Sequence, residues 1–136
     1  MYETFEHTAD LGLRVRAADL NGLFAEAARG LVSIIVPNLD DVRLVRRMSF
    51  ALAGSRHDEL LFDWLNEVLY VFESQRVVLA EFDVHVGGEG LEAAARGEPL
   101  DPARHQLEHE VKAITYHELK VEPLDGGWLA EVIVDI

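Results

Sequence analysis

Cysteine is absent from this chain of 136 residues, and lysine occurs only at Lys112 and Lys120. Without thiols there is neither a disulfide framework nor a thiolate-ligated zinc site. No apolar run approaches the ~20 residues that a membrane-spanning helix needs. The opening MYETFEHTAD carries acids where a secretory signal would carry basic residues ahead of an apolar stretch. The expectation is an unprocessed cytoplasmic protein with no membrane attachment. Basic residues are also scarce: 12 stand against 25 acidic ones, a net charge of −13. Attraction to nucleic acid rests on Lys and Arg neutralising phosphates, so direct or sequence-specific nucleic-acid binding is disfavoured. Cationic partners, a basic protein surface or a divalent ion, fit the field better. The common enzyme signatures are missing as well. Gly87, Gly88 and Gly90 lack the Lys-Ser/Thr of a phosphate loop, His-Glu-x-x-His does not occur, and none of Ser33, Ser49, Ser55 and Ser74 lies in a nucleophile elbow.

What is present suits one domain over residues 1–136, with 49% hydrophobic residues to fill a core. Residues 2–6 and 12–17 read as short strands, Leu13, Val15 and Ala17 alternating with Arg14 and Arg16. From Asp19, a helix-capping residue type, Leu20, Leu23, Phe24, Ala27, Ala28 and Leu31 recur at helical spacing, which predicts a helix over about 20–35. A long strand over 42–52, bulged at Arg46 and Arg47, comes next. Ser55 and Asp58 resemble a capping box ahead of ELLFDWLNEVLYVFESQ, whose Leu60, Leu61, Trp64, Leu65, Val68, Leu69 and Phe72 mark a second helix. Strands over 77–86, 91–98, 108–122 and 128–135 follow, with glycine turns at 87–90 and 124–127. In LEAAARGEPL the alanines favour helix, but the flanking Gly and Pro leave it short, and a strand competes. LDPARHQLEH reads as a polar connection. The pattern predicts an α+β fold, a largely antiparallel sheet packed by two main helices.

Candidate chemistry lies in carboxylates more than in histidines. His105 and His109 are four apart, but at a loop-to-strand change where no helix would align them on one face. Asp10 ends the first strand-like region, and Asp135 closes the last together with the terminal carboxylate of Ile136. A sheet that joined these ends would make an oxygen site for a hard divalent cation. Otherwise Asp10 is an ordinary turn residue and the terminus frays. Asp63 and Glu67 read as the solvent stripe of the second helix. Lys112 would share a sheet face with Ile114 and Tyr116, where a lysine normally only reaches for solvent.

EHTADLGLRV, LLFDWLNEVLYVFES, GEPLDPARHQLEHEVKAITYHELKVE and the closing GWLAEVIVDI, in this order and over nearly the whole chain, are similar to the archease family. The resemblance implies a non-catalytic protein cofactor of the RtcB-type RNA ligase, which seals tRNA exon halves. Such a cofactor promotes guanylylation of the ligase's active-site histidine, supports multiple turnover and broadens its nucleotide choice. The family's metal-binding positions fall on Asp10, Asp135 and Ile136, and its required lysine falls on Lys112, so the residues implied in ligase activation are Asp10, Lys112 and Asp135. The implied ion is divalent, calcium first, with magnesium or manganese as the other oxygen-preferring choices. Two other readings compete. One is a metal-dependent hydrolase with His7 as the base near an ion on Asp10 and Asp135. The other is a chaperone-like RNA-processing adaptor that binds through an exposed apolar patch.

Overall fold

Period-two and period-3.6 patterns lay out most of the elements seen in the computed structural model, which describes residues 1–7 and 10–136. In chain order they are β1 (Tyr2–His7), β2 (Asp10–Ala17), α1 (Leu20–Ile35), a 3₁₀ turn at Leu39–Asp41, β3 (Arg46–Ala53), α2 (His57–Gln75), β4 (Val77–Val86), β5 (Gly90–Pro99), β6 (Ala113–Leu124) and β7 (Gly127–Asp135). The fold is α+β in a single domain, as the patterns predict. Its strands divide into two antiparallel sheets, one of four strands in the order β1-β2-β7-β6 and one of three in the order β3-β5-β4.

The helices fill the space the sheets leave. In β2, Leu13 and Val15 are fully buried, and in β7 so are Ala130, Val132 and Val134. Asp19 caps α1 by accepting from the Gly22 amide at 2.7 Å. The helix is apolar well beyond one stripe, adding Val32, Ile34 and Ile35 to the predicted face, because it touches β2 of one sheet and β4 of the other. Trp64 of α2 is the junction. Its ring meets Phe50 of β3 and Phe82 of β4 edge-on, and its Nε1 donates to the Phe24 carbonyl of α1 at 3.0 Å, so the one polar atom of the largest buried side chain is satisfied.

Three local expectations are corrected, and one open choice, LEAAARGEPL, is settled in favour of the strand. The strand predicted from residue 42 starts at Arg46, and the bulge predicted at Arg46 and Arg47 does not form: β3 pairs with β5 without a register shift. Val42 instead plugs the core, and the Arg43 amide donates to the Glu98 carboxylate at 2.6 Å rather than to a ladder carbonyl. The capping box at Ser55 does not form. The N-cap of α2 is Arg56, without a side-chain bond, because the Asp58 carboxylate is engaged by the Glu59 amide, Arg56 and the Tyr116 hydroxyl. LEAAARGEPL is a strand despite its alanines, since it lies between β3 and β4 and is paired along both edges, which outweighs a few tenths of a kcal/mol per residue of helix preference. Gly97 in that strand passes so close to β4 that a Cβ would collide with the Val78 carbonyl. Finally, β6 begins at Ala113 rather than 108. Residues 108 and 109 bond instead to the end of α1, Glu108 N to Ile35 O at 2.9 Å and His109 N to Ile34 O at 3.2 Å. The β6–β7 turn follows its sequence: Asp125 and Gly126 both take positive φ, 50° and 80°, as a two-residue hairpin turn with right-handed strand twist requires.

Candidate functional site

Strand register brings the nominated residues to one end of the four-stranded sheet. His7 faces Asp10 across the β1–β2 hairpin, so Asp10 opens the second strand rather than ending the first. Leu11 lies opposite Val134, and one further step in that register sets Asp10 beside Asp135. Asp135 in turn faces Ala113 of β6, and the Lys112 amide donates to the Asp135 carbonyl at 2.7 Å. Residues 8 and 9, the Thr-Ala of the His-Thr-Ala-Asp motif, lie outside the described residues. Alternation puts the two aspartates on a common face: Leu13 and Val15 point to the core, as do Val132 and Val134, which leaves Asp10 and Asp135 on the opposite, outer side. The side chain of Ile136 packs against the core, which ties down the last residue.

One contact at this end has no sequence signal. Between Thr115 and Lys120 the β6–β7 register shifts, so that four residues of β6 oppose Val132 alone, and Glu118 within this bulge has φ 63°, a left-handed conformation a glutamate rarely adopts. The bulge carries the Glu118 carboxylate to His7, with Oε2 at 3.0 Å from Nε2. In the neutral tautomer whose Nε2–H donates to Glu118, Nδ1 is the acceptor nitrogen. That Nδ1 is buried, has no hydrogen-bond partner among the described residues, and stands 3.8 Å from Asp10 Oδ2, too far for a hydrogen bond. A histidine held by a carboxylate through one nitrogen, with the other facing a second carboxylate, is the outer-shell arrangement that orients imidazole toward a cation.

The donors therefore suit a cation: the Asp10 and Asp135 carboxylates, an unpaired imidazole nitrogen, and main-chain oxygen at Ile136. Side chains alone do not form a cage. Among the described residues no three His, Asp or Glu side chains are grouped closely enough to hold an ion, so a full donor set would draw on main-chain oxygen. Below the site the sheet is braced on its outer face. Glu131 accepts from Arg14 Nε at 2.6 Å and pairs with Lys120 Nζ at 3.1 Å. Burial pushes the Glu131 carboxyl up, but these two cations outweigh it and hold it below the usual range.

Lys112 departs from its predicted setting. It precedes β6 and is exposed, not ranged along a sheet face with Ile114 and Tyr116, and Tyr116 lies in the bulge, its ring edge-on to Phe62 of α2. Lys112 makes no ion pair among the described residues and borders an open cavity of about 380 Å³ with Phe72, Glu73 and Arg76. Asp63 and Glu67 face solvent as predicted. His105 and His109 form no common site. His105 is buried, its Nδ1 accepting from the Asp101 amide at 2.9 Å, so that Nε2 carries the hydrogen and donates to Glu98 at 3.1 Å.

The same arrangement of elements is found in other proteins. Residues 2–136 match the model of the Archease protein family (MTH1598/TM1083). The archease of Methanopyrus kandleri is 40% identical over 139 residues, covering 99% of each chain, and that of Pyrococcus abyssi is 37% identical over 140 residues, covering 99% of this chain and 98% of its own. Among solved structures, Methanobacterium thermoautotrophicum protein 1598 superposes with a TM-score of 0.87 at 28% identity, over 99% of this chain and 98% of the other. An archease of Thermotoga maritima shares the fold, with a TM-score of 0.68 at 22% identity, over 100% and 98% of the two chains. Full-length agreement in sequence, element order and fold leads to one conclusion: the chain belongs to the archease family.

Proposed function

We propose that this protein is a non-catalytic activator of an RtcB-type RNA ligase, acting through the end of the four-stranded sheet that carries Asp10, Asp135, Ile136 and Lys112. The observation that carries the reading is that one register line, β2 to β7 to β6, joins residues 125 positions apart in sequence, Asp10 and Asp135, with the Lys112 amide bonded to the latter. In this reading Asp10, Asp135 and the carboxylate of Ile136 hold a divalent ion, with calcium the first choice, and His7 adds a nitrogen donor that Glu118 keeps in orientation. The ion would supply a fixed positive centre at the sheet end for negatively charged groups of the partner's nucleotide pocket. Asp10 and Asp135 orient that end, and exposed Lys112 supplies a mobile cation beside it. The protein itself forms no covalent intermediate. A domain of net charge −13 also suits approach to a pocket that must be electropositive to hold GTP and RNA.

The test is the rate of ligase guanylylation from GTP, with and without this protein, in calcium, in manganese and in chelator. Acceleration that is lost in Asp10→Ala, Asp135→Ala and Lys112→Ala supports the reading. Folded wild-type protein that leaves guanylylation and turnover of its cognate ligase unchanged overturns it.

A further inference from the structure

A second surface, remote in sequence from the site above, is marked by charge and by an open strand edge. In a chain of net charge −13, most arginines are neutralised locally: Arg14, Arg16, Arg29, Arg56, Arg96 and Arg104 each stand within ion-pair distance of a carboxylate. Arg43, Arg46 and Arg47 make no such pair among the described residues, and all three are exposed. Between them lie Leu44 and Val45, 43% and 72% exposed, two of the few large apolar side chains facing solvent. Five consecutive residues thus present three unpaired cations and two bare hydrophobes.

This segment runs straight into β3, which is an edge strand. The three-stranded sheet has two edges, and they differ. At the β4 edge, α1 closes the ladder: Arg29 Nη1 donates to the Ala80 carbonyl at 2.7 Å and Asn21 Oδ1 accepts from the Val86 amide at 2.8 Å. At the β3 edge nothing among the described residues bonds the outward main-chain groups. The eight residues of β3 contain no proline and pair with β5 in unbroken register, so the edge lacks the bulge or proline that usually blunts such strands. Its solvent face is low, with Ser49, Ala51 and Ala94 lining a groove of about 500 Å³ that Arg47 borders on the β3 side and Asp83, His85 and Glu92 border on the β4 and β5 side, so the cationic part of the surface is the β3 edge itself.

We propose that β3 is a docking edge for an extended, acidic segment of a partner protein, which adds a strand to the three-stranded sheet, sets one carboxylate against Arg47 on the outer face and another against Arg46 at the strand's start on the opposite face, and places an apolar side chain against Leu44 and Val45. Main-chain ladder bonds supply affinity and the arginines supply selectivity and register. The net negative charge of the whole domain does not oppose this at contact, because fields are screened beyond about 8 Å at physiological salt while the arginines act within hydrogen-bond range. A nucleic-acid strand would use the arginines, but it would leave the ladder groups and the two hydrophobes unmatched. A second copy of this chain would bring arginines without the carboxylates to meet them on its own β3.

The experiment uses the full chain and three probes: a synthetic ten-residue peptide alternating Glu with Val and Ile, the same peptide N-methylated at alternate residues, and an oligouridylate of ten nucleotides. Amide shifts are followed by NMR. The expected result is that the first peptide shifts amides of residues 43–53 and slows their hydrogen exchange, that N-methylation abolishes this, and that Arg46→Glu with Arg47→Glu weakens binding at least tenfold. Those two side chains are exposed, so the variant's thermal transition should match wild type. The proposal is overturned if the peptide does not bind, if the N-methylated peptide binds equally, if the oligouridylate competes for the same amides, or if these amides are already protected in a concentration-dependent dimer.

Discussion

Neutralising Glu98 should cost the fold about 3 kcal/mol, and only above acid pH. Glu98 is the only buried carboxylate among the described residues. Arg104 Nη1 donates to Oε1 at 2.6 Å, while the Arg43 amide and His105 Nε2 donate to Oε2 at 2.6 and 3.1 Å. Led by the Arg104 bond, and against the cost of burial, these contacts hold the carboxyl at about 2 instead of 4.5. A difference of that size carries about 3 kcal/mol of stability. Because the folded value lies below the unfolded one, protonation favours unfolding. The contribution is complete above 4.5 and disappears as pH falls through about 2. Glu98→Gln keeps the shape and one acceptor, so urea unfolding of wild type and variant isolates the charge. The variant should be about 3 kcal/mol less stable at neutral pH, with the gap closing as pH is lowered toward 2. Arg104→Gln should reproduce most of the loss. Glu131 and Asp58, also held low, weaken both proteins alike in acid and cancel in the comparison. A neutral-pH gap below about 1 kcal/mol, or one that stays constant into acid, would refute the reasoning.

Lys112→Ala removes an exposed side chain without a partner among the described residues, so urea stability should change by less than about 0.5 kcal/mol while ligase stimulation is lost; a destabilised variant would show the residue to be structural. Millimolar calcium or manganese should raise the thermal midpoint of wild type and leave Asp10→Ala and Asp135→Ala unmoved, with His7→Ala reducing the manganese response more than the calcium one, as nitrogen donors favour the softer ion. Glu118→Gln should leave the His7 ring less firmly held, read as altered ¹⁵N shifts of its two ring nitrogens. Gly97→Ala puts a Cβ into the Val78 carbonyl and must part β4 from β5; loss of folded protein on expression is expected, and a variant as stable as wild type would contradict the close strand approach.

What could be read from the chain alone was whatever depends on local periodicity. The limits of α1 follow from Asp19 and its apolar spacing, those of β4 and β7 from alternation between turn residues, and the Asp125–Gly126 turn from its two residue types. The absence of cysteine removed the thiolate chemistries before any fold was known. The motifs that resemble archease nominated Asp10, Asp135, Ile136 and Lys112. Register supplied what spacing could not: that the strand ends carrying the first two lie side by side, and that the Lys112 amide bonds the Asp135 carbonyl.

The rest was decided between elements. LEAAARGEPL became a strand because two neighbours paired with it. Ser55 lost its capping role because Asp58 was drawn to Tyr116 and Arg56. His105, a candidate ligand by residue type, is a buried anchor for Glu98. Glu118 reached His7 only because β6 carries a bulge with a glutamate in a left-handed conformation, which no local pattern announces. Local patterns report energies of fractions of a kcal/mol per residue within one turn or strand. Burial, strand pairing and charge contacts between distant segments are larger, and they exist only once the chain has closed on itself.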